Sequence, residues 1–155
     1  HLGLPYAFAS HFAPGEMMRA IQLYREEFRP SERLAEPYVM LGYNVFAADT
    51  DAGARHLFTS LQQAFVNLRS GRPGKLPPPV DGYGETLSGS ERAMIDQALA
   101  CSAVGSPATV RARIAEFVAR TGADELMVTS QIWDHDARRR SLALLAEAWA
   151  LPASA

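Results

Sequence analysis

The chain has 155 residues, 48% hydrophobic and 21% charged, which is enough for one domain with its own core. Its net charge of −2 excludes a basic field for nucleic acid or an anionic membrane, and no apolar run approaches the roughly 18 residues of a spanning helix. The single cysteine, Cys101, excludes an internal disulfide and has no second metal-type ligand near it in sequence, so a reduced, cytoplasmic setting is expected.

In chain order, Leu2-Gly3-Leu4-Pro5 reads as the end of a helix and a turn, followed by a short strand over 6–12, YAFASHF. Pro14-Gly15-Glu16 opens a helix in which Met17, Ile21, Tyr24 and Phe28 share one face, and Pro30 stops it. The next strand, YVMLGYNVFAA, is apolar on nearly every residue, as a strand covered on both faces requires. Asp49-Thr50-Asp51 supplies caps for a long helix with Leu57, Phe58, Leu61, Phe65 and Leu68 as its buried stripe. Ser70-Gly71 closes that helix.

From 72 to 87 the alternation breaks. Four prolines and three glycines predict an irregular, mobile insertion loop there. Ser88 to Glu91 matches a capping box for a helix carrying Ile95 and Leu99. CSAV then runs as a strand into Gly105, Ser106-Pro107 opens a helix, and Thr121-Gly122 ends it. A strand over 126–132 follows, giving a βαβ unit with parallel strands. Asp134 or Asp136 caps a last helix with Leu142, Leu145 and Trp149 inward, and a frayed tail starts at Pro152.

Four strands, each followed by a helix, predict an α/β fold: half of an eight-stranded barrel, or a small doubly wound sheet. Four strands do not close such a barrel, and the chain opens in what reads as the end of an element. A fragment is therefore expected. Sites in either architecture gather at the carboxyl ends of the strands, here Ser10, His11 and Phe12, then Asp49 and Thr50, then Gly105 and Ser106, then 131–135. His11 reads as a proton-transfer or hydrogen-bonding group, or else as a histidine satisfied by nearby backbone. Gly105-Ser106 at a helix start reads as an anion site, or as a plain cap. His135 lacks a second spaced histidine and reads as a solvated helix start, so no metal site is expected.

Together, GLPYAFASHFAP, LAEPYVMLGYNVFAADTDAGAR, VGSPATVRARI and TGADELMVTSQIWDHDARRRSLALL resemble the C-terminal half of the luciferase-like, flavin-dependent monooxygenases. The resemblance covers nearly the whole chain. It implies the C-terminal half of a (β/α)8 TIM barrel, with the strands as the fifth to eighth and 72–87 in the family's insertion. It implies a monooxygenase that oxidises a small organic substrate with dioxygen and reduced FMN from a separate flavin reductase. A sister branch implies a deazaflavin and hydride transfer instead, and a non-catalytic half-barrel is the remaining alternative. Ser10, His11 and Phe12 fall where the family's pocket faces flavin and substrate, with His11 the catalytic candidate. Gly105 and Ser106 match a family turn, although the flavin phosphate is implied to be held mainly by residues preceding Leu2. A homodimer of the full-length protein is also implied, with an interface largely outside this chain.

Overall fold

The computed structural model describes residues 2–12 and 14–149. The chain runs β1 (Tyr6–Phe8), α1 (Met17–Glu27), β2 (Val39–Ala47), α2 (Asp51–Arg69), α3 (Tyr83–Thr86) and α4 (Gly89–Ala98). It continues through β3 (Ser102–Gly105), α5 (Pro107–Thr121), β4 (Glu125–Thr129) and α6 (His135–Ala148). The predicted starts of α2, α4, α5 and α6 are in place because each has a side-chain oxygen for its unpaired first N–H groups, whereas α1 follows the turn at Pro14–Glu16 without a side-chain cap. Thr50 Oγ1 accepts from Gly53 N at 3.1 Å and Asp134 Oδ1 from Ala137 N at 2.8 Å. Ser88 and Glu91 form the reciprocal capping box, and Ser106 caps α5 ahead of Pro107.

The sheet is parallel throughout, and β2 organises it. In a parallel strand the N–H and C=O of one residue face the same neighbour, and the next residue faces the other. Tyr38 O accepts from Tyr6 N, and Asn44 N donates to Cys101 O, so even-numbered residues face β1 and β3. Val39 O accepts from Asp124 N, so odd-numbered residues face β4. β1 therefore holds the lower part of one edge of β2, over Val39–Leu41, and β3 the upper part of that edge, over Asn44–Ala47. β4 pairs with the opposite edge along Met40–Asn44. The two strands of the 101–132 βαβ unit are parallel as expected, but β2 lies between them. The side-by-side placement implied by consecutive fifth-to-eighth strands thus gives way to the run β1–β2–β4, with β3 completing an edge that β1 leaves short.

Side chains alternate across β2. Val39, Leu41, Tyr43, Val45 and Ala47 pack with Met17 and Ile21 of α1, with Val110, Ile114 and Phe117 of α5, and with Leu144 of α6. Phe46 points the other way, into a second cluster with Leu61, Phe65, Ile95 and Ile132.

Several expectations are corrected. The first strand stops at Phe8, because the chain turns: Ser10 N donates to Phe8 O and Phe12 N to Ala9 O. The last strand stops at Thr129, since the hydroxyl of Ser130, not its backbone, takes the Val45 carbonyl. In α6 Leu145 packs on the core as expected, with Ser141 and Leu144 buried beside it, while Leu142 and Trp149 are exposed. Ser141 takes the inner place because its hydroxyl accepts from Ala47 N at 2.9 Å. Leu68 of α2 is also exposed. The 72–87 loop holds one regular piece, α3, and is strapped to α2 by Gln63 Nε2 to Pro78 O (2.9 Å) and Val80 N to Thr59 Oγ1 (2.9 Å). His56 Nδ1 also lies 2.7 Å from Asp81 Oδ1. The tail from Pro152 lies outside the described residues. Among those residues no helix is long and apolar enough to cross a membrane, and no cluster of metal-type ligands occurs.

Candidate active site

The site grows from the two residues that interrupt the apolar run of β2, Gly42 and Asn44. Asn44 is fully buried, and its side-chain amide is used on every side. Nδ2 donates to His11 O at 2.8 Å and to Ser102 Oγ at 3.3 Å, and Oδ1 accepts from Thr129 Oγ1 at 2.8 Å. One side chain thus joins the turn after β1 to the start of β3 and the end of β4. Buried amides need such partners, because an unpaired one costs about 1–3 kcal/mol in lost hydration. Ser10, equally buried, donates from Oγ to Gly42 O at 2.6 Å.

His11 turns the Nδ1 edge of its ring toward Gly42. A Cβ on Gly42 would overlap His11 Nδ1, and would stand 2.9 Å from Cε1 and 3.0 Å from Cγ. Nδ1 is buried and without a hydrogen-bond partner, and no bond from a described residue reaches Nε2. The face of the sheet around His11 is thinly covered. Gly42 is paired with Met127, whose side chain is 52% exposed, and Ala7 is paired with Met40 on the same face. Leu126 and Val128, between which Met127 sits, pack on the helix side. Phe12 is 58% exposed and leans on Phe65 with ring centres 6.1 Å apart.

The predicted site residues therefore divide. His11 and Phe12 stand at the open face, whereas the Ser10 hydroxyl is spent on the backbone of β2. Gly105 and Ser106 lie apart from them. Ser106 N donates to Asp51 Oδ1 at 2.6 Å, and its hydroxyl lies 3.2 Å from Thr109 Oγ1. Hydrogen bonds from the Ser106 N–H and then from the Thr109 and Ser106 hydroxyls hold the Asp51 carboxyl below its ordinary range. A Cβ on Gly105 would meet Thr109 Cγ2 at 2.5 Å and Asp51 Oδ1 at 2.8 Å. The anion at this helix start is the chain's own carboxylate, so the turn locks α2 to α5, and a phosphate would meet a negative charge there. A cleft of about 840 Å3 opens beside it, under the 80–85 segment. Arg55, Arg92 and Arg113 face Asp51, Asp81 and Glu85 across it, so its lining favours neither sign of ligand charge.

Gly42, Asn44, Ser102 and Thr129 are the site residues that sequence reasoning missed. Their signal was a glycine and an asparagine inside an otherwise apolar strand, which marks close approach of another group and a buried polar requirement.

The chain belongs to the luciferase-like monooxygenase family, whose model matches residues 1–125. A luciferase-like monooxygenase of Escherichia coli strain K12 is 50% identical over 143 residues, covering 92% of this chain and 43% of that protein. The uncharacterized protein YvbT of Bacillus subtilis strain 168 is 45% identical over 148 residues, covering 96% and 44%. Among solved structures, apo-MsnO8 superposes with a TM-score of 0.79 at 33% identity, over 97% of this chain and 46% of that one. The oxygenating constituent of 3,6-diketocamphane monooxygenase from Pseudomonas putida, a type II Baeyer–Villiger enzyme solved with FMN, shares the fold with a TM-score of 0.53 at 21% identity. The chain spans less than half the length of these relatives, which matches half of a TIM barrel.

Proposed function

We propose that this chain forms the C-terminal part of a flavin-dependent monooxygenase, with the open face around His11 turned to the flavin and the substrate. The observation that carries the reading is the His11 ring, placed just beyond the carboxyl end of β1 against Gly42, with its Nε2 edge unclaimed by any described residue. The residues fit the ring part of FMN. The small Ala7 and the half-exposed Met127 leave the sheet beside His11 thinly covered, where a flat apolar group can lie, and His11 offers it a polar edge. They do not fit its phosphate, because Asp51 fills the start of α5. Bound reduced FMN would supply the electrons that activate dioxygen, and this chain would orient the ring, exclude water and hold a hydrogen-bond donor at His11. A separate reductase would supply the reduced flavin, in a cytoplasmic setting and in a homodimer of the full-length protein.

The test is His11→Phe in the full-length polypeptide, which keeps the ring's bulk and removes both nitrogens. The expected result is turnover lowered at least tenfold, or flavin oxidation uncoupled from product, with FMN affinity changed less than threefold, as about 1.4 kcal/mol of lost transition-state stabilisation implies. Wild-type turnover and coupling would reduce His11 to a packing residue. Titrating the same protein with FMN and with a deazaflavin separates the two cofactor branches, FMN binding more tightly being the expected outcome.

A further inference from the structure

We infer that Gly42 and Asn44 hold His11 in one orientation and one neutral tautomer, bare at Nδ1 and protonated at Nε2. The chain then presents a single fixed N–H donor on the open face of the sheet. What this means for turnover rests on the function proposed above, whereas the tautomer stands on geometry alone.

Nδ1 occupies the place where a side chain at position 42 would point, so what faces it is a Cα–H of Gly42. A carbon-bound hydrogen is a weak donor and cannot accept. A bare Nδ1 gains a weak C–H···N contact there. A protonated Nδ1 would be a buried N–H with no acceptor and would lose its hydration without return. The proton of the neutral ring therefore goes to Nε2. The backbone is fixed on both sides of the contact, in the turn that carries His11 and in β2. Asn44 Nδ2 holds the His11 carbonyl at 2.8 Å, and Ser10 Oγ holds the Gly42 carbonyl at 2.6 Å. The Asn44 amide has only one orientation that works: its NH2 must face the His11 carbonyl, while Thr129 donates to Oδ1 at 2.8 Å. Gly42 and Asn44 are positioning residues, acting on a bound group only through His11.

A chemical consequence follows. With no carboxylate on Nδ1 and the proton already on Nε2, His11 is not built as a general base. It is a neutral donor, suited to an acceptor atom on which negative charge grows, and its placement costs no reorganisation when that charge appears.

The experiment uses the chain labelled with 15N-histidine, above the pH at which imidazole titrates. Long-range proton–nitrogen correlations should give a bare-type Nδ1 and a proton-bearing Nε2, without the averaging of free histidine. A nuclear Overhauser contact should join His11 Hε1 to Gly42 Hα. Gly42→Ala and Asn44→Asp should restore the averaged pattern and lose that contact while far-UV circular dichroism stays unchanged. A protonated Nδ1, averaged shifts in the native chain, a contact from Hδ2 in place of Hε1, or variants with native His11 signals would each overturn the inference. Should both variants fail to fold, the native tautomer and contact decide alone. A bare Nδ1 in an enzyme indifferent to His11→Phe would uphold this geometry and remove the proposed function. A sensitive enzyme with a protonated Nδ1 would do the reverse.

Discussion

Asn44 shows how much one buried polar residue can carry. Replacing it with alanine leaves the part-buried His11 carbonyl and Thr129 hydroxyl without their partner. The expected cost is about 2–4 kcal/mol, read as a lower urea midpoint with unchanged slope. Asp51 gives a second prediction, on pH. Its carboxyl is held below the ordinary range first by the Ser106 N–H and then by hydrogen bonds from Thr109 and Ser106. A lowered folded value stabilises the fold above the unfolded aspartate range, near pH 4, and that contribution fades as pH falls through the lowered value. Asp51→Asn should lower the melting temperature at neutral pH and flatten its acid dependence below about pH 4. A variant that melts like the wild type at pH 7 would mean that the α2–α5 lock contributes nothing. Elsewhere, burial pushes the Tyr43 hydroxyl up to about 12, so this core tyrosine stays neutral at any ordinary pH.

At the scale of elements, α1 and α5 are tied end to end. Arg25 of α1 donates to Thr121 O at 3.0 Å and Gly122 O at 2.6 Å, where the carbonyls ending α5 lack helical partners. Arg25→Met keeps much of the stem and removes the donors. A loss of about 1–2 kcal/mol in denaturant unfolding is expected. The 72–87 segment is a different case. It buries little, yet Gln63 and Thr59 of α2, one turn apart, hold it by hydrogen bonds at Pro78 and Val80. Thr59→Val removes the hydroxyl that accepts from Val80 N, and amide exchange at 80–82 should quicken while β2 stays protected. Equal exchange in the two proteins would show that the strap is held by its prolines and not by α2.

For the whole molecule, the organising fact is a sheet covered fully on one face and only in part on the other, where α2 and α4 pack over Phe46 and leave the Ala7–Met127 end thinly covered. β2 is covered on its odd side by α1, α5 and α6, whereas the face bearing Ala7, Gly42 and Met127 has few side chains of its own. Such a surface, with free strand edges beside it, favours association. The isolated chain should sediment as a dimer or larger species, and a monodisperse monomer would count against that. It should also bind FMN weakly, since the start of α5, where a phosphate would sit, is already filled by the Asp51 carboxylate. Each charge-assisted hydrogen bond forgone is worth about 1.5–3 kcal/mol, at least tenfold in affinity. Sub-micromolar binding by these 155 residues would contradict this reading.

What the sequence determined by itself were local choices: four parallel strands, the helix caps at Thr50, Ser88, Ser106 and Asp134, the glycine end of α5, and His11 at a strand's carboxyl end. These depend on spacing along the chain and on hydrogen bonds spanning three or four residues, so the residues that decide them are adjacent in the sequence. Only the tertiary structure decided that β4 lies next to β2, that Ser141 and not Leu142 faces inward, and that the Ser106 N–H is filled by a carboxylate 55 positions away. The use of Asn44 and Gly42 belongs with these, since their partners sit on three other segments. An asparagine in a strand announces a need for hydrogen bonds but not their source, and a glycine announces room but not what fills it. Those answers come from which strands share an edge, and strand pairing in space leaves little trace in local pattern.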